Sequence, residues 1–236
     1  MIKAKIKDKQ EIDQDTLMVE FDLLGEIVTF KPGQYMTVHL INPPFIDAKG
    51  PNRHFSIVNS PTINSSLTMA TRIRDSAFKK SLQASPIGTE IDIMGINGSF
   101  VLPEDITRPL VFIAGGIGIT PFMSMLRFIK DQQLPYKITL LYSNRDQKSA
   151  PFLEELQELF RENANFKLIL TMTEDPNWPR EKNKIEADFL KKYLDKPNEY
   201  TYYMAGPPPM VEAVYSELTK AGIEEKNIIT ENFTGY

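Results

Sequence analysis

Pro109-Leu-Val-Phe-Ile-Ala-Gly-Gly-Ile-Gly-Ile-Thr-Pro-Phe122 reads as a buried strand, a glycine turn and the start of a helix. Leu110 to Ala114 is a short unbroken apolar run, as a parallel strand requires when both of its faces are covered. Gly115, Gly116 and Gly118 remove side chains that would hold a ligand off the backbone. Thr120 suits an N-cap and Pro121 the first helical position. Such a turn aims backbone N–H groups and the positive end of a helix dipole at one spot, which suits a phosphate. The same pattern fits an ordinary tight turn, so the rest of the chain decides its meaning.

Downstream, apolar strand candidates recur at 138–143, 166–173, 200–205 and 227–231, with helical patterns between them. Phe122, Met125, Leu126 and Ile129 share one face of a helix running to Asp131. Ser149 is placed to cap Pro151–Arg161, and Met210–Lys220 closes on Gly222, a good C-cap residue. Strands alternating with helices imply right-handed βαβ units and an open parallel sheet. Ligands of such a sheet bind beyond the carboxyl ends of the strands. The glycine turn, Tyr142-Ser-Asn-Arg145 and Met204-Ala-Gly-Pro-Pro-Pro209 all meet that edge, which suits a dinucleotide. Ser143 and Arg145 stand where an acidic residue would hold a ribose hydroxyl. A hydroxyl and a fixed cation suit a 2′-phosphate, which favours NADPH over NADH as electron donor, with Asp146 acting against it.

Upstream the pattern changes. Met18–Leu23, Tyr35–Ile41, Ser66–Ile73 and Thr89–Met94 are strand candidates divided by Lys31-Pro-Gly-Gln34, Asn42-Pro-Pro44, Ser60-Pro-Thr62 and Pro86-Ile-Gly88. A short helix is expected over Ser76–Ala84. Short strands at such spacing indicate a small antiparallel barrel. The expected architecture is therefore two-domain: an antiparallel β-barrel over 1–105, then an α/β open parallel-sheet nucleotide-binding domain over 106–236 with an aromatic C-terminal tail.

Composition narrows the chemistry. The formal charge is −4, with 27 basic and 31 acidic residues, so no overall basic field would recruit nucleic acid. No stretch approaches the roughly 20 apolar residues of a membrane span, and Met-Ile-Lys-Ala-Lys lacks the pattern of a signal peptide. A cytoplasmic protein is expected. With no cysteine, the chain's own side chains can supply neither thiol catalysis nor ligands for an iron–sulfur cluster. His39 and His54 are the only histidines, too few for a histidine-rich metal site, and no metal is expected.

Arg53-His-Phe-Ser-Ile-Val-Asn-Ser-Pro61, standing before the glycine turn, completes a set. An Arg-x-aromatic-Ser segment, a Gly-x-Gly-x-x-Pro turn, a Gly-Pro turn and an aromatic C-terminus, in this order, resemble the ferredoxin–NADP reductase superfamily along nearly the whole chain. The resemblance implies a barrel that holds flavin and an α/β domain that holds NAD(P)H. Arg53 would then pair with a flavin phosphate, with His54 beside it, Phe55 against the isoalloxazine and Ser56 near flavin N5. The family usually has tyrosine at Phe55, so a hydroxyl contact is lost. Ser76 and the following backbone at Ala77 and Phe78 would hold the pyrophosphate, although the glycines common there are missing. Two phosphate-facing segments favour FAD over FMN.

On the same resemblance, Gly116, Gly118, Thr120 and Pro121 would hold the NAD(P)H pyrophosphate, with Ser143 and Arg145 at the ribose. Ala205, Gly206 and Pro207 would lie beside the nicotinamide, Ala205 replacing a frequent cysteine. Ser56, Glu231 and Phe233 are the candidate catalytic residues, and Phe233 or Tyr236 would cover the flavin. Trp178, Arg180 and Lys184 lie in a loop where relatives contact the nucleotide. The activity implied is hydride transfer from nicotinamide to flavin N5, and cofactors rather than acid–base side chains carry it. Electrons would pass to a separate acceptor: a ferredoxin, a flavodoxin, an oxygenase component or a small molecule. A reductase of free flavin, quinone or ferric chelates is the alternative, and a non-catalytic interaction subunit a further one. Lys79 and Lys80 are read as solvated surface.

Overall fold

Residues 1–233 are described by the computed structural model. They contain an antiparallel and a parallel sheet, and the chain divides into two compact units. One unit comprises Met1–Leu102 with Thr120–Gln133; the other comprises Pro103–Ile119 with Leu134 onward. The helix after the glycine turn is thus counted with the antiparallel sheet, whereas a linear boundary near residue 105 would assign it to the parallel one.

The first unit holds β1 (Ile2–Asp13), β2 (Thr16–Asp22), β3 (Tyr35–Leu40), β4 (Asn52–Ser56), β5 (Ser66–Arg72), α1 (Ala77–Ala84) and β6 (Glu90–Asn97). The strand order is β4-β3-β6-β1-β2-β5, with every neighbouring pair antiparallel. The two outer strands come together just past β4. Val58 N–H donates to Thr68 O at 2.8 Å, and the Asn59 amide accepts from Thr68 N at 2.8 Å while donating to Ile63 O and Ser66 O. Buried Ile6, Phe21, Met36, Val38, Met69 and Ile93 fill the inside, and Phe78 and Leu82 of α1 close it.

The parallel sheet is built of β7 (Leu110–Gly115), β8 (Ile138–Asn144), β9 (Phe166–Met172), β10 (Thr201–Gly206) and β11 (Ile228–Asn232). Between them run α2 (Thr120–Asp131), α3 (Leu153–Glu162), α4 (Ala187–Tyr193) and α5 (Pro208–Lys220). The order β11-β10-β7-β8-β9 makes β7 the switch point: the chain moves outward through β8 and β9, then returns to β10 on the other side. Every residue of β7 is buried, as its unbroken apolar run requires. Val111, Leu141 and Met204 pack with Phe189 of α4 and Val214 of α5.

Several local expectations change. β1 and α4 are additional elements. Helical winding before α2 begins as a 3₁₀ turn at Gly116, so Thr120 and Pro121 lie inside the helical run rather than at its cap. Ser149 does not cap α3 but closes a reciprocal capping box with Asp146 around a 3₁₀ turn, its N–H reaching Asp146 Oδ1 at 2.8 Å. Phe152, at φ 59°, then turns the chain into α3. Gly222, at φ +84°, does end α5: Ile223 N–H returns to Leu218 O and Gly222 N–H to Thr219 O.

Candidate cofactor site

At the carboxyl edge of the parallel sheet, the turns after β7 and β10 are locked together. A Cβ added to Gly118 would lie 2.5 Å from the Ala205 carbonyl carbon and 2.6 Å from Gly206 Cα, so only glycine lets the two backbones meet. Gly115 is constrained by Met210 and Pro207, and Gly206 by Met210. Gly116 differs: it sits at φ +52°, and a Cβ added there would meet nothing within 4 Å, so its backbone faces open space. The phenol of buried Tyr142 braces the turn, its O–H shared between Gly116 O and Pro151 O at 3.1 Å each. The helix N-terminus therefore lies among glycines, with an unobstructed backbone at Gly116.

Strand register brings Glu231 beside Ala205 and Asn232 beside Gly206, and Phe233 N–H donates to Gly206 O at 3.1 Å. Burial pushes the Glu231 carboxyl up to about 7, and its Oε2 is enclosed without a hydrogen-bond partner. Ser143 is half-buried and Arg145 exposed at the end of β8. The Asp146 carboxylate is occupied by the Ser149 N–H. Tyr236 lies outside the described residues.

In the barrel, the strand pleat divides the Arg53–Ser56 segment. Cross-strand pairing sets Arg53 opposite Val38 and Phe55 opposite Met36, on the core-facing side; His54 lies opposite Thr37 and Ser56 opposite Tyr35, on the other. The expected flavin residues are thus not all on one face. Arg53 and Phe55 meet α1: the Phe55 and Phe78 rings are 5.6 Å apart, and the Arg53 guanidinium lies 5.4 Å from the Phe78 centroid. His54 instead bonds Thr37 at 2.8 Å and meets the Tyr35 ring edge-on. Ser76 is the N-cap residue of α1, and its side chain makes no capping bond.

Further residues complete the surroundings, Asp47 and Asn144 among them without a role in the sequence reading. Asp47 pairs with Arg53 at 3.3 Å. Desolvation raises the Asp47 pKa, but the Lys49 N–H, Arg53 and the Ala77 N–H outweigh it and hold the carboxyl below its usual range. Lys79 is half-buried rather than solvated: burial, then the cations of Arg74 and Arg53, lowers it to about 8. Lys80 is exposed and pairs with Asp75 at 2.6 Å. Asn144 is buried at the end of β8 with both side-chain polar atoms unpartnered, as is Trp178 Nε1 in the loop after β9, where Arg180 and Lys184 are exposed. A polar amide closing an otherwise apolar strand was the available signal for Asn144. For Lys79 the signal was its place one turn from Arg74 and Asp75 at the helix start.

Residues 112–216 match the oxidoreductase NAD-binding domain family. The chain is 29% identical over 232 residues to flavohemoprotein B of Dictyostelium discoideum, covering 88% of this chain and 53% of that protein. It is 27% identical to the reductase component of phenol 2-monooxygenase from Pseudomonas sp. strain CF600, covering 89% and 59% of the respective chains. The chain thus spans a little over half the length of these curated relatives. The flavohem-like FAD/NAD binding domain of nitric oxide dioxygenase from Vibrio cholerae superposes with a TM-score of 0.88 at 18% identity, over 98% of each chain. The two-sheet fold is that of FAD/NAD-binding domains of this kind. Residues 112–216 of the chain carry an oxidoreductase NAD-binding domain.

Proposed function

We propose that the chain is an NAD(P)H-dependent, FAD-containing oxidoreductase that passes electrons to a separate acceptor. The observation carrying this reading is the backbone junction of Gly118 with Ala205 and Gly206 at the switch point of the parallel sheet, beside the open backbone of Gly116. It is the form a pyrophosphate-bearing dinucleotide needs: a rigid turn, no side chains, and a helix start behind it. Gly116, Gly118, Thr120 and Pro121 would hold the NAD(P)H pyrophosphate, and Ala205, Gly206 and Pro207 would flank the nicotinamide. In the barrel, Arg53 and the backbone at Ser76, Ala77 and Phe78 would hold the FAD phosphates. Phe55 would back the flavin ring, and Ser56 would approach it.

The donor set fits these groups. Arg53 and the N-terminus of α1 are cationic or N–H-bearing, and Gly116 leaves its backbone uncovered. When bound, the nicotinamide supplies a hydride and the flavin accepts it, releasing electrons one or two at a time. The chain's own work is positioning and exclusion of water. Among the described residues at this edge, Glu231 is the carboxyl raised to about 7, placed to hold or move a proton near neutral pH. Ser143 and Arg145 favour NADPH, because Asp146 spends its carboxylate on Ser149 and does not bond either residue's side chain. The named relatives suggest an oxygenase component as acceptor.

The test is an anaerobic visible titration of FAD-reconstituted protein with NADPH and with NADH. Bleaching of the flavin band is expected with both, faster with NADPH, and Arg145→Ala should cut that preference by about tenfold, the worth of one charge-assisted contact. A flavin that stays oxidised with both coenzymes would overturn the reductase reading.

A further inference from the structure

The chain that enters α1 is tied down, residue by residue, to the hairpin turn between β1 and β2. Arg72, the last residue of β5, is buried, and its Nη1 reaches four acceptors of that hairpin. They are Asp13 Oδ1 at 3.1 Å and Oδ2 at 3.3 Å, Gln14 O at 2.8 Å and Thr16 Oγ1 at 2.7 Å. Ile73 N–H donates to Asp15 O at 2.7 Å. Arg74 Nη1 lies 3.6 Å from the Asp15 carboxylate and donates to Ile73 O at 2.9 Å. Three consecutive residues are thus held, and Ser76, at the start of α1, follows closely.

The start of α1 needs such an anchor. The helix is eight residues long, its N-cap Ser76 makes no side-chain capping bond, and its first turn carries no acidic residue. A short helix with an uncapped start has little stability of its own, so the chain before it sets where its first N–H groups point. The anchor is built around a buried ion pair, with 8% of the Arg72 side chain and 6% of the Asp13 side chain exposed. Burial raises the Asp13 carboxyl above its ordinary range, and Thr16 and Arg72 lower it only in part. Such a pair adds little stability over apolar side chains of the same size, because desolvation offsets the attraction. What it adds is direction. The planar guanidinium is fitted to a carboxylate, a carbonyl and a hydroxyl at once.

We propose that Asp13 and Arg72 are positioning residues of the flavin site: the pair locks the β1–β2 turn to the chain entering α1 and so aims the start of α1 at a flavin phosphate. This rests on the reading that Arg53 and the start of α1 hold that phosphate. The effect is one of orientation. The pair is neutral, and altering both of its members leaves in place the charges around the start of α1: Arg53, Arg74, Lys79 and Lys80 with Asp15, Asp47 and Asp75. With the pair gone, Arg72 no longer fixes the end of β5 to the turn, and the segment that carries Arg74 and Ser76 loses its reference point.

The experiment is fluorescence titration of the flavin-free chain with FAD and with riboflavin, which lacks the phosphate, joined to ³¹P NMR of bound FAD. The double variant Asp13→Leu with Arg72→Met replaces both charges by apolar side chains, the change a fold tolerates best at a buried pair. It should weaken FAD about tenfold, change riboflavin less than about twofold, and shift the ³¹P resonances of bound FAD. Unaltered FAD affinity in the folded double variant overturns the proposal. Equal weakening of FAD and riboflavin overturns it too, because the pair would then support the whole unit and not the phosphate segment. Arg72→Lys keeps both charges and loses the planar fork, so it decides the matter where the double variant does not fold. It should weaken FAD and spare riboflavin, and FAD affinity equal to that of the unaltered protein overturns the proposal. Arg53→Ala separates the two levels: it should weaken FAD by about tenfold or more, and unchanged FAD binding in that variant would overturn the phosphate reading itself.

Discussion

Glu231 illustrates how one residue can carry both a cost and a use. It stands in register with Ala205 at the carboxyl edge of the parallel sheet, where burial raises its carboxyl from 4.5 to about 7 and leaves Oε2 unpartnered. A raised acid binds its proton more tightly in the folded than in the unfolded chain. The folded state is therefore favoured at low pH, and that advantage is lost as pH rises from the ordinary glutamate range through 7. Glu231→Gln stays neutral throughout. The unaltered protein should thus lose about 2 kcal/mol relative to this variant between pH 5 and pH 8, allowing for partial exposure. Urea unfolding at the two pH values measures the difference; a gap that does not vary with pH would show that Glu231 is charged or well solvated in the folded protein.

At the scale of elements, the turn joining β7 to α2 separates two reasons for glycine. Gly116 needs a left-handed backbone but faces open space, so Gly116→Ala should cost about 1 kcal/mol of stability, the strain alone. Gly118 has no such φ requirement, but its Cα meets the backbone of Ala205 and Gly206. Gly118→Ala must push two strand ends apart and should cost about 3 kcal/mol. Denaturant midpoints of the two variants check the order; equal losses would mean that the turns after β7 and β10 separate easily. The spacing of glycines in the sequence showed that a turn was there, and it could not show which glycine served which purpose.

The same limit explains what else the sequence left hidden. β7 was legible because both faces of its run are apolar. β1 was not, because Ala4 and Ile6 are its only buried residues and charged and polar residues fill most of its other positions. α4 is short, at seven residues, and is set among polar loops that mask its buried Phe189 and Leu190. The Arg53–Ser56 segment was recognisable as a motif, yet period-two alternation sends Arg53 and Phe55 to one face and His54 and Ser56 to the other. Asp47 could not be read at all, since its meeting with Arg53 depends on how a proline-rich loop folds back.

For the whole molecule, the consequence of the two compact units is that the barrel sequence is not contiguous. α2 lies more than fifteen residues beyond β6 in the chain, yet it completes the first unit. Its Phe122 ring meets Phe100 at 5.5 Å, Ser124 Oγ donates to Asn59 O at 2.8 Å and Arg127 Nη1 to Val58 O at 3.0 Å. Those carbonyls belong to the segment that draws the two outer strands of the sheet together. A fragment cut at residue 105 would strip the ring from Phe100 and leave two backbone acceptors without protein donors, a loss of about 1 to 3 kcal/mol for each buried group. Stability of a domain this small is of order 5 to 10 kcal/mol, so that loss is decisive. Fragment 1–105 should therefore melt without cooperativity and bind a hydrophobic dye. A second fragment, with residues 103–119 replaced by a long Gly/Ser linker and the chain ending at 133, should melt cooperatively because α2 is restored. Circular dichroism melts of the two fragments decide the matter: if 1–105 unfolds as sharply as the linked form, α2 is an accessory to the barrel and not part of its core.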